Sequence, residues 1–331
     1  MTEAAPRQLS FSSNQLLQEL CGRHDSHLQL IEDRLGVQLV PRGNQLAIFG
    51  PPAQAEQAQH VLEDLYDLLK NGLTISPAQV DAALRMADGL LNTRLRPADL
   101  LNDSACLHTP LLKVLPRSLV QHTYVKALQS TNLVFGVGPA GTGKTYLAVA
   151  AAVHLLITKK VSKLVLTRPV LEAGERLGFL PGSFEEKIDP YLRPLFDGLD
   201  ETLGRERWQK MRESGQIEIA PLAYMRGRTI KDSVMLLDEA QNTTPMQMKL
   251  FLTRLGEHSR MFIAGDVSQS DLPRGMRNGL RDALDVLEGL REIEVIRFSA
   301  GDVVRHPLVS TIVHAYAERE RQIPLKLESE S

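Results

Sequence analysis

Leu133-Val-Phe-Gly-Val-Gly138-Pro-Ala-Gly-Thr-Gly143-Lys144-Thr145 is the stretch whose reading decides the fold. It opens as a short apolar strand, fits the spacing G-x-x-x-x-G-K-[ST], and runs directly into an apolar helical segment, Thr145 to Ile157. That order matters, because a strand, a glycine turn and a helix N-terminus together form an anion cradle. Glycines at 138, 141 and 143 let backbone N–H groups turn inward around phosphate oxygens, and the helix adds the positive end of its dipole. Lys144 is expected to reach the β- and γ-phosphates of a nucleotide, and the Thr145 hydroxyl to ligate Mg²⁺. With Pro139, Ala140, Thr142 and Tyr146, this segment is the expected ATP-binding loop.

Two further strands supply what a phosphate cradle alone lacks. Val234-Met-Leu-Leu-Asp238-Glu239-Ala-Gln241 is an apolar run ending in carboxylates, which such a strand delivers to the C-terminal edge of an α/β sheet, where ligands bind. Asp238 is placed to hold Mg²⁺ through its water shell, and Glu239 to polarise the attacking water. Met261-Phe-Ile-Ala-Gly265-Asp266-Val-Ser-Gln269 repeats the pattern, and Gln269 is the candidate γ-phosphate sensor. Apolar strands at 133–138, 164–167, 217–220, 234–237, 261–264 and 294–298 alternate with helical segments, which argues for a parallel sheet covered on both faces. The fold class expected is therefore α/β, a RecA-like P-loop NTPase core in 117–322, with a small α/β unit in 1–72, a helical connector in 73–116 and a disordered tail in 323–331.

The small unit reads as helices near 14–20, 26–35 and 53–69 with two strands, 37–40 and 45–49, joined by the turn-forming Pro41-Arg42-Gly43-Asn44. Bulk composition narrows the setting. The 38 Lys and Arg nearly balance 40 Asp and Glu, leaving a net charge of −2, so nucleic acid must be met by a local patch and not by a global field. Cys21 and Cys106 have neither metal-ligand nor disulfide-framework spacing, which suits packing in a reducing cytosol. The longest apolar run, 146–157, is interrupted by His154 and is too short to span a bilayer, so the expected location is cytoplasmic with no membrane anchor.

The three phosphate-site elements together resemble superfamily 1 helicase motifs. Further segments make the chain resemble the PhoH family of ATPases across about residues 115 to 320: Thr167-Arg168-Pro169-Val170, Gly178-Phe-Leu-Pro-Gly182, Lys187-Ile-Asp-Pro-Tyr191, Arg193-Pro194, Tyr224-Met-Arg226-Gly227-Arg228 and Asp302-Val-Val-Arg305-His306-Pro307. The stand-alone, YbeZ-like form with an extra N-terminal domain fits better than the form fused to a PIN nuclease. This resemblance implies ATP hydrolysis, RNA-linked work and a homo-oligomeric, hexameric ring. It suggests Arg117 and Gln121 as the adenine-reading motif, an amide matching the donor–acceptor pair of the adenine edge. It also implies a KH-like RNA-binding fold for the N-terminal unit, although Gly22-Arg-His-Asp25, where a KH domain carries GXXG, lacks the second glycine and carries an acid.

Superfamily 1 enzymes close the ATP site with a second RecA-like domain, whereas only one is readable here. A neighbouring subunit is therefore expected to supply an arginine finger, with Arg305, Arg277 and, more distantly, Arg168 as candidates. The most basic window, 205–231, contains Arg205, Arg207, Lys210, Arg212, Arg226, Arg228 and Lys231 near Trp208 and Tyr224, a combination suited to phosphate pairing and base stacking on RNA. Three functions stay open at this point: an RNA-stimulated ATPase or helicase in RNA processing or ribosome maturation, an ATP-gated adaptor docking a YbeY-type endoribonuclease, and a small-molecule kinase.

Overall fold

The computed structural model describes residues 6–90, 106–169, 184–273 and 275–303. The expected tail, 323–331, lies outside them, as do Val170, Gly178–Gly182 and Arg305–Pro307.

The N-terminal unit begins with β1 (Arg7–Ser10), then α1 (Asn14–Cys21), α2 (Ser26–Leu35), β2 (Gln38–Arg42), β3 (Gln45–Phe49), α3 (Pro52–Lys70) and α4 (Pro77–Leu90). Its three strands form an antiparallel sheet in the order β1-β3-β2. Strand β1 was missed in the sequence because it is four residues long and buries only Leu9, too little for a periodic signal. Helix α3 starts at Pro52, where a missing N–H costs nothing, and buries Val61, Leu62 and Leu65. Helix α4 was expected in the connector. It joins the N-terminal core instead, because its apolar stripe, Val80, Ala83, Leu84 and Ala87, needs a partner and finds one against α2 and α3.

A two-stranded hairpin, β4 (Leu107–His108) and β5 (Lys113–Val114), precedes the core, which runs α5 (Leu119–Ser130), β6 (Leu133–Val137), α6 (Lys144–Ile157), β7 (Lys163–Thr167), α7 (Phe184–Leu203), α8 (Arg205–Glu213), β8 (Ile217–Ile219), β9 (Ser233–Leu237), α9 (Pro245–Leu252), β10 (Arg260–Gly265), α10 (Gly279–Leu287) and β11 (Ile293–Arg297). Six strands form one parallel sheet in the order β11-β6-β10-β9-β7-β8. This is the α/β, RecA-like arrangement expected from the strand–helix alternation. Strands β6 and β9 are buried at every position, since helices cover both faces. One face packs against α5, α6 and α7, the other against α9 and α10.

Helix α6 is apolar nearly all round, with Leu147 to Val153, Leu155 and Leu156 buried. Gly198 lets α7 approach it closely, since a Cβ there would lie 3.2 Å from Val149 Cγ1. Among the described residues no helix is long and apolar enough to cross a membrane. Both cysteines are buried and neither is in a disulfide, and burial with the nearby Asp25 charge pushes the Cys21 thiol up to about 11, which keeps it inert.

Candidate functional site

The strand order sets the site. Strand β10 lies between β6 and β9, so the loops leaving the C-terminal ends of all three open onto one edge of the sheet. Gly138 follows β6, Asp238 and Glu239 follow β9, and Asp266 follows β10. Gly138 sits at φ 146° with its N–H donated to the Gly265 carbonyl, and a Cβ there would fall 2.4 Å from the Phe298 carbonyl oxygen. Gly141 and Gly143 are at φ 82° and 83°, which completes the turn into α6.

Ala140, Gly141, Gly143, Lys144, Thr145 and Tyr146 line a cavity of about 270 Å³ together with Asp238, Glu239, Gln241, Gly265, Asp266 and Gln269. The two halves of the expected site thus face one space. At its floor Thr145 donates its hydroxyl to Asp238 Oδ1 at 2.6 Å. Both are hard oxygen donors of the kind Mg²⁺ takes, and they sit close enough to serve one ion. Among the described residues no cluster of His, Cys, Asp or Glu could hold a metal unaided. This pair therefore fits an ion that arrives with phosphate oxygens and waters, as Mg²⁺ does with nucleotides.

Lys144 is folded onto the loop itself. Its ammonium donates to the Gly138 and Pro139 carbonyls, both at 2.7 Å, and to Thr142 Oγ1 at 3.2 Å. Burial lowers its pKa, while the charges of Asp266, Asp238 and Glu239 act in the opposite direction. Asp238 is buried, and desolvation raises its pKa, opposed by the Thr145 hydrogen bond and the Arg168 charge.

Glu239 occupies left-handed backbone at φ 51°, ψ 43°, a conformation an L-residue keeps only where its surroundings hold it. Arg168 does part of the holding, its guanidinium 3.1 Å from Glu239 Oε1 and 3.8 Å from Asp238 Oδ2. Gln241 does the rest: its Nε2 donates to Glu239 Oε2, and its Oε1 accepts the Asp266 N–H at 3.0 Å. Asn242 and Asp271 add a second tie between the same two loops, through Asn242 Nδ2 to Asp271 Oδ2 at 3.1 Å and the Asp271 N–H to Asn242 Oδ1 at 2.9 Å. The candidate sensor Gln269 is an exposed residue on the cavity wall, its N–H held by the Asp266 carbonyl.

The structure gives several residues other surroundings than their types suggested. Arg168 lies in its own chain's site, paired with the acids it faces, and so is not placed as a finger for a neighbour. Arg277 is exposed at the surface, where it pairs with Asp282 at 3.2 Å, and Arg305 lies outside the described residues. Gln121 is buried and lines a second cavity, but its amide is already used at both ends: Oε1 accepts the Arg117 N–H at 2.6 Å, and Nε2 donates to the Thr142 carbonyl at 2.9 Å. It braces the phosphate loop from behind.

In the basic window, Trp208 is a core residue, stacked on Phe196 at 5.5 Å and 11° with its indole N–H donated to Asp200. It offers no face to a base. Arg228 is clamped on Glu218 by two hydrogen bonds at 2.5 and 2.8 Å, which with Lys163 hold that carboxyl down to about 2. Lys231 pairs with Glu257. What remains exposed and basic is Arg205, Arg207, Lys210 and Arg212 on α8; Tyr224 and Arg226 are exposed too, but on the turn 222–226, whose Leu222 and Met225 belong to the core on the opposite face of the sheet.

Sequence reasoning missed Gln241, Asn242 and Asp266 as site residues. Gln241 and Asp266 were legible only as parts of quoted motifs, since nothing in spacing says that one amide bridges two strands. The Asp302 of the last family segment is structural: it accepts from Ser118 Oγ and from the Ser299 backbone and hydroxyl.

Residues 113–317 match the family described as PhoH-like protein. The chain is 48% identical over 301 residues to the PhoH-like protein of Mycobacterium tuberculosis, covering 91% of this chain and 85% of that one. It is 47% identical over 297 residues to the PhoH-like protein of Bacillus subtilis, covering 90% and 92%. Protein PhoH of Escherichia coli is 48% identical over 206 residues, 62% of this chain and 58% of its own length.

Proposed function

This chain belongs to the PhoH family, and from that premise we propose that it hydrolyses ATP with Mg²⁺ at the cavity between β6, β9 and β10 and couples the cycle to RNA. The observation that carries the enzymatic part is the 2.6 Å contact between Thr145 Oγ1 and Asp238 Oδ1, which joins the glycine loop to the acidic strand end at a single point. Thr145 and Asp238 would hold Mg²⁺, which when bound supplies positive charge to the β- and γ-phosphate oxygens. Lys144 exchanges its three loop acceptors for phosphate oxygens and neutralises charge there. Glu239 would accept a hydrogen bond from the attacking water and aim it at the γ-phosphorus, and Gln269, on the wall of the same cavity, is the candidate sensor of the γ-phosphate.

Coupling to RNA is supported by the exposed basic residues of α8 and by what the family resemblance implies. A homo-oligomeric ring, hexameric by resemblance, would let a neighbouring subunit close the site; Arg277 and Arg305 are the candidates for the arginine acting across subunits. The N-terminal unit is read as a KH-like domain of the stand-alone form. A second reading, an ATP-gated adaptor docking a partner endoribonuclease, is favoured by one observation: Trp208 and Arg228, two residues suited to RNA, are consumed by contacts inside the protein.

Phosphate release from ATP by the wild type, Lys144→Ala and Glu239→Gln, with and without single-stranded RNA, tests both. Lys144→Ala is expected to lose ATP binding, whereas Glu239→Gln binds ATP and loses turnover on the order of 10²–10⁴-fold. Turnover indifferent to RNA selects the adaptor, and turnover indifferent to Lys144 removes the ATPase.

A further inference from the structure

Beside the phosphate cavity lies a second one of about 330 Å³, within the size range of small-molecule sites. The two share Gly141, Gly143 and Tyr146 as lining residues, so a ligand seated on the glycine loop can extend from one into the other. The second cavity is walled by unlike parts of the chain. Tyr146 and Leu147 come from α6, Leu112 to Arg117 from the hairpin and the approach to α5, and Leu68, Gln79 and Ala82 from α3 and α4 of the N-terminal unit.

The chemistry of that lining is mixed in a way that suits a nucleobase with its ribose. Leu68, Ala82, Val114, Pro116 and Leu147 give apolar surface, and Gln79, Arg117 and Glu201 give hydrogen-bonding groups at its edge. Tyr146 is half-buried there, its phenol held up by burial and by the Glu201 carboxylate. Helix α4 is fixed in place rather than loosely apposed. Its Val80, Ala83 and Leu84 are seated in the N-terminal core, and Arg85 Nη1 donates to the Val303 carbonyl, just past β11, at 2.8 Å.

We propose that the base of the bound purine nucleoside triphosphate lies in this cavity and that the N-terminal unit, through Gln79 and Ala82 of α4 and Leu68 of α3, forms one wall of the nucleotide site. The inference rests on the ATP reading above and adds who recognises the base. It follows that nucleotide occupancy stiffens the seam between the N-terminal unit and the core, so that whatever the N-terminal unit touches is informed of the ATP state.

Photolabelling the full chain with ATP carrying an azide on its base, in competition with ATP, tests the placement without any variant. Label recovered in a peptide spanning 68–82 is the expected result; label confined to 112–147 overturns the wall. Binding of Mg²⁺·ATP and of Mg²⁺·tripolyphosphate is then compared by calorimetry for the wild type, Gln79→Ala, Ala82→Trp and Lys144→Ala. Ala82→Trp fills the cavity from the α4 side and is expected to weaken ATP by about tenfold or more while leaving tripolyphosphate unchanged, with Gln79→Ala a milder version of the same split. Equal ATP affinity in wild type, Ala82→Trp and Gln79→Ala overturns the proposal. Loss of neither ligand in Lys144→Ala would instead remove the phosphate site on which it rests, so the two failures are told apart.

Discussion

Two loops in this chain make the same use of the backbone: each turns through left-handed residues and hands the chain to a helix N-terminus. In the core, Gly138, Gly141 and Gly143 carry the positive φ angles ahead of α6. In the N-terminal unit, Gly22 is followed by His24 at φ 52° and Asp25 at φ 58° ahead of α2. The geometry is shared, yet the settings differ. The core loop faces Lys144, Thr145 and the carboxylates of β9 and β10, which can organise a cation between phosphate and protein. The N-terminal loop puts its own acid at the helix N-terminus, where the dipole is already answered and a phosphate is repelled. A helix N-terminus becomes an anion site only when the rest of the fold leaves it wanting charge.

The contrast can be broken from the core side first. Gly138→Ala drives a Cβ against the Phe298 carbonyl at a φ of 146°, and is expected to weaken ATP by roughly 10- to 100-fold, from a strain of about 1–3 kcal/mol, read by calorimetry. Normal ATP affinity in that variant would mean that the turn does not need glycine. A smaller effect sharpens the role of the buried acid. Because desolvation raises the Asp238 pKa, the nucleotide-free fold binds that proton more tightly than the unfolded chain does. Its contribution to stability is then present at low pH and is lost as pH rises through the folded-state pKa. Mg²⁺·ATP, which needs the ionised form, runs the other way, its affinity falling as pH drops through the same value. Thermal melts against pH, with and without Mg²⁺·ATP, check both slopes, and Asp238→Asn is expected to flatten them. The smallest effect belongs to the N-terminal loop. Asp25→Gly relieves left-handed strain and is expected to raise stability by up to about 1 kcal/mol in urea unfolding, with tighter binding to single-stranded RNA. Unchanged RNA binding would show that more than one acid separates the two loops.

Much of the core was legible because its signals are redundant. Strands β6, β9 and β10 are apolar runs of five or six residues ending in or followed by glycine or acid, whereas their order in the sheet came from the structure. The N-terminal unit announced its helices by periodicity and its hairpin by Pro41 to Asn44. Strand β1 and the membership of α4 were not readable, since four residues carry no period and an amphipathic stripe does not name its partner. The same limit hid the site's inner ties. Trp208 and Arg228 looked like RNA contacts by type alone, and only the positions of Phe196, Asp200 and Glu218 spend them elsewhere. Gln241 looked like one letter of a motif, and its amide proved to join two strands.

Helix α6 leaves the glycine loop and runs straight into the interior, with almost no residue reaching solvent. An element so enclosed has no partial way to open: its amides are released to exchange with water only when the surrounding layers come apart. The slowest-exchanging protons of the chain are therefore expected one turn beyond the phosphate loop. Wear at this site would be recorded as collapse of the domain, and not as fraying of the loop.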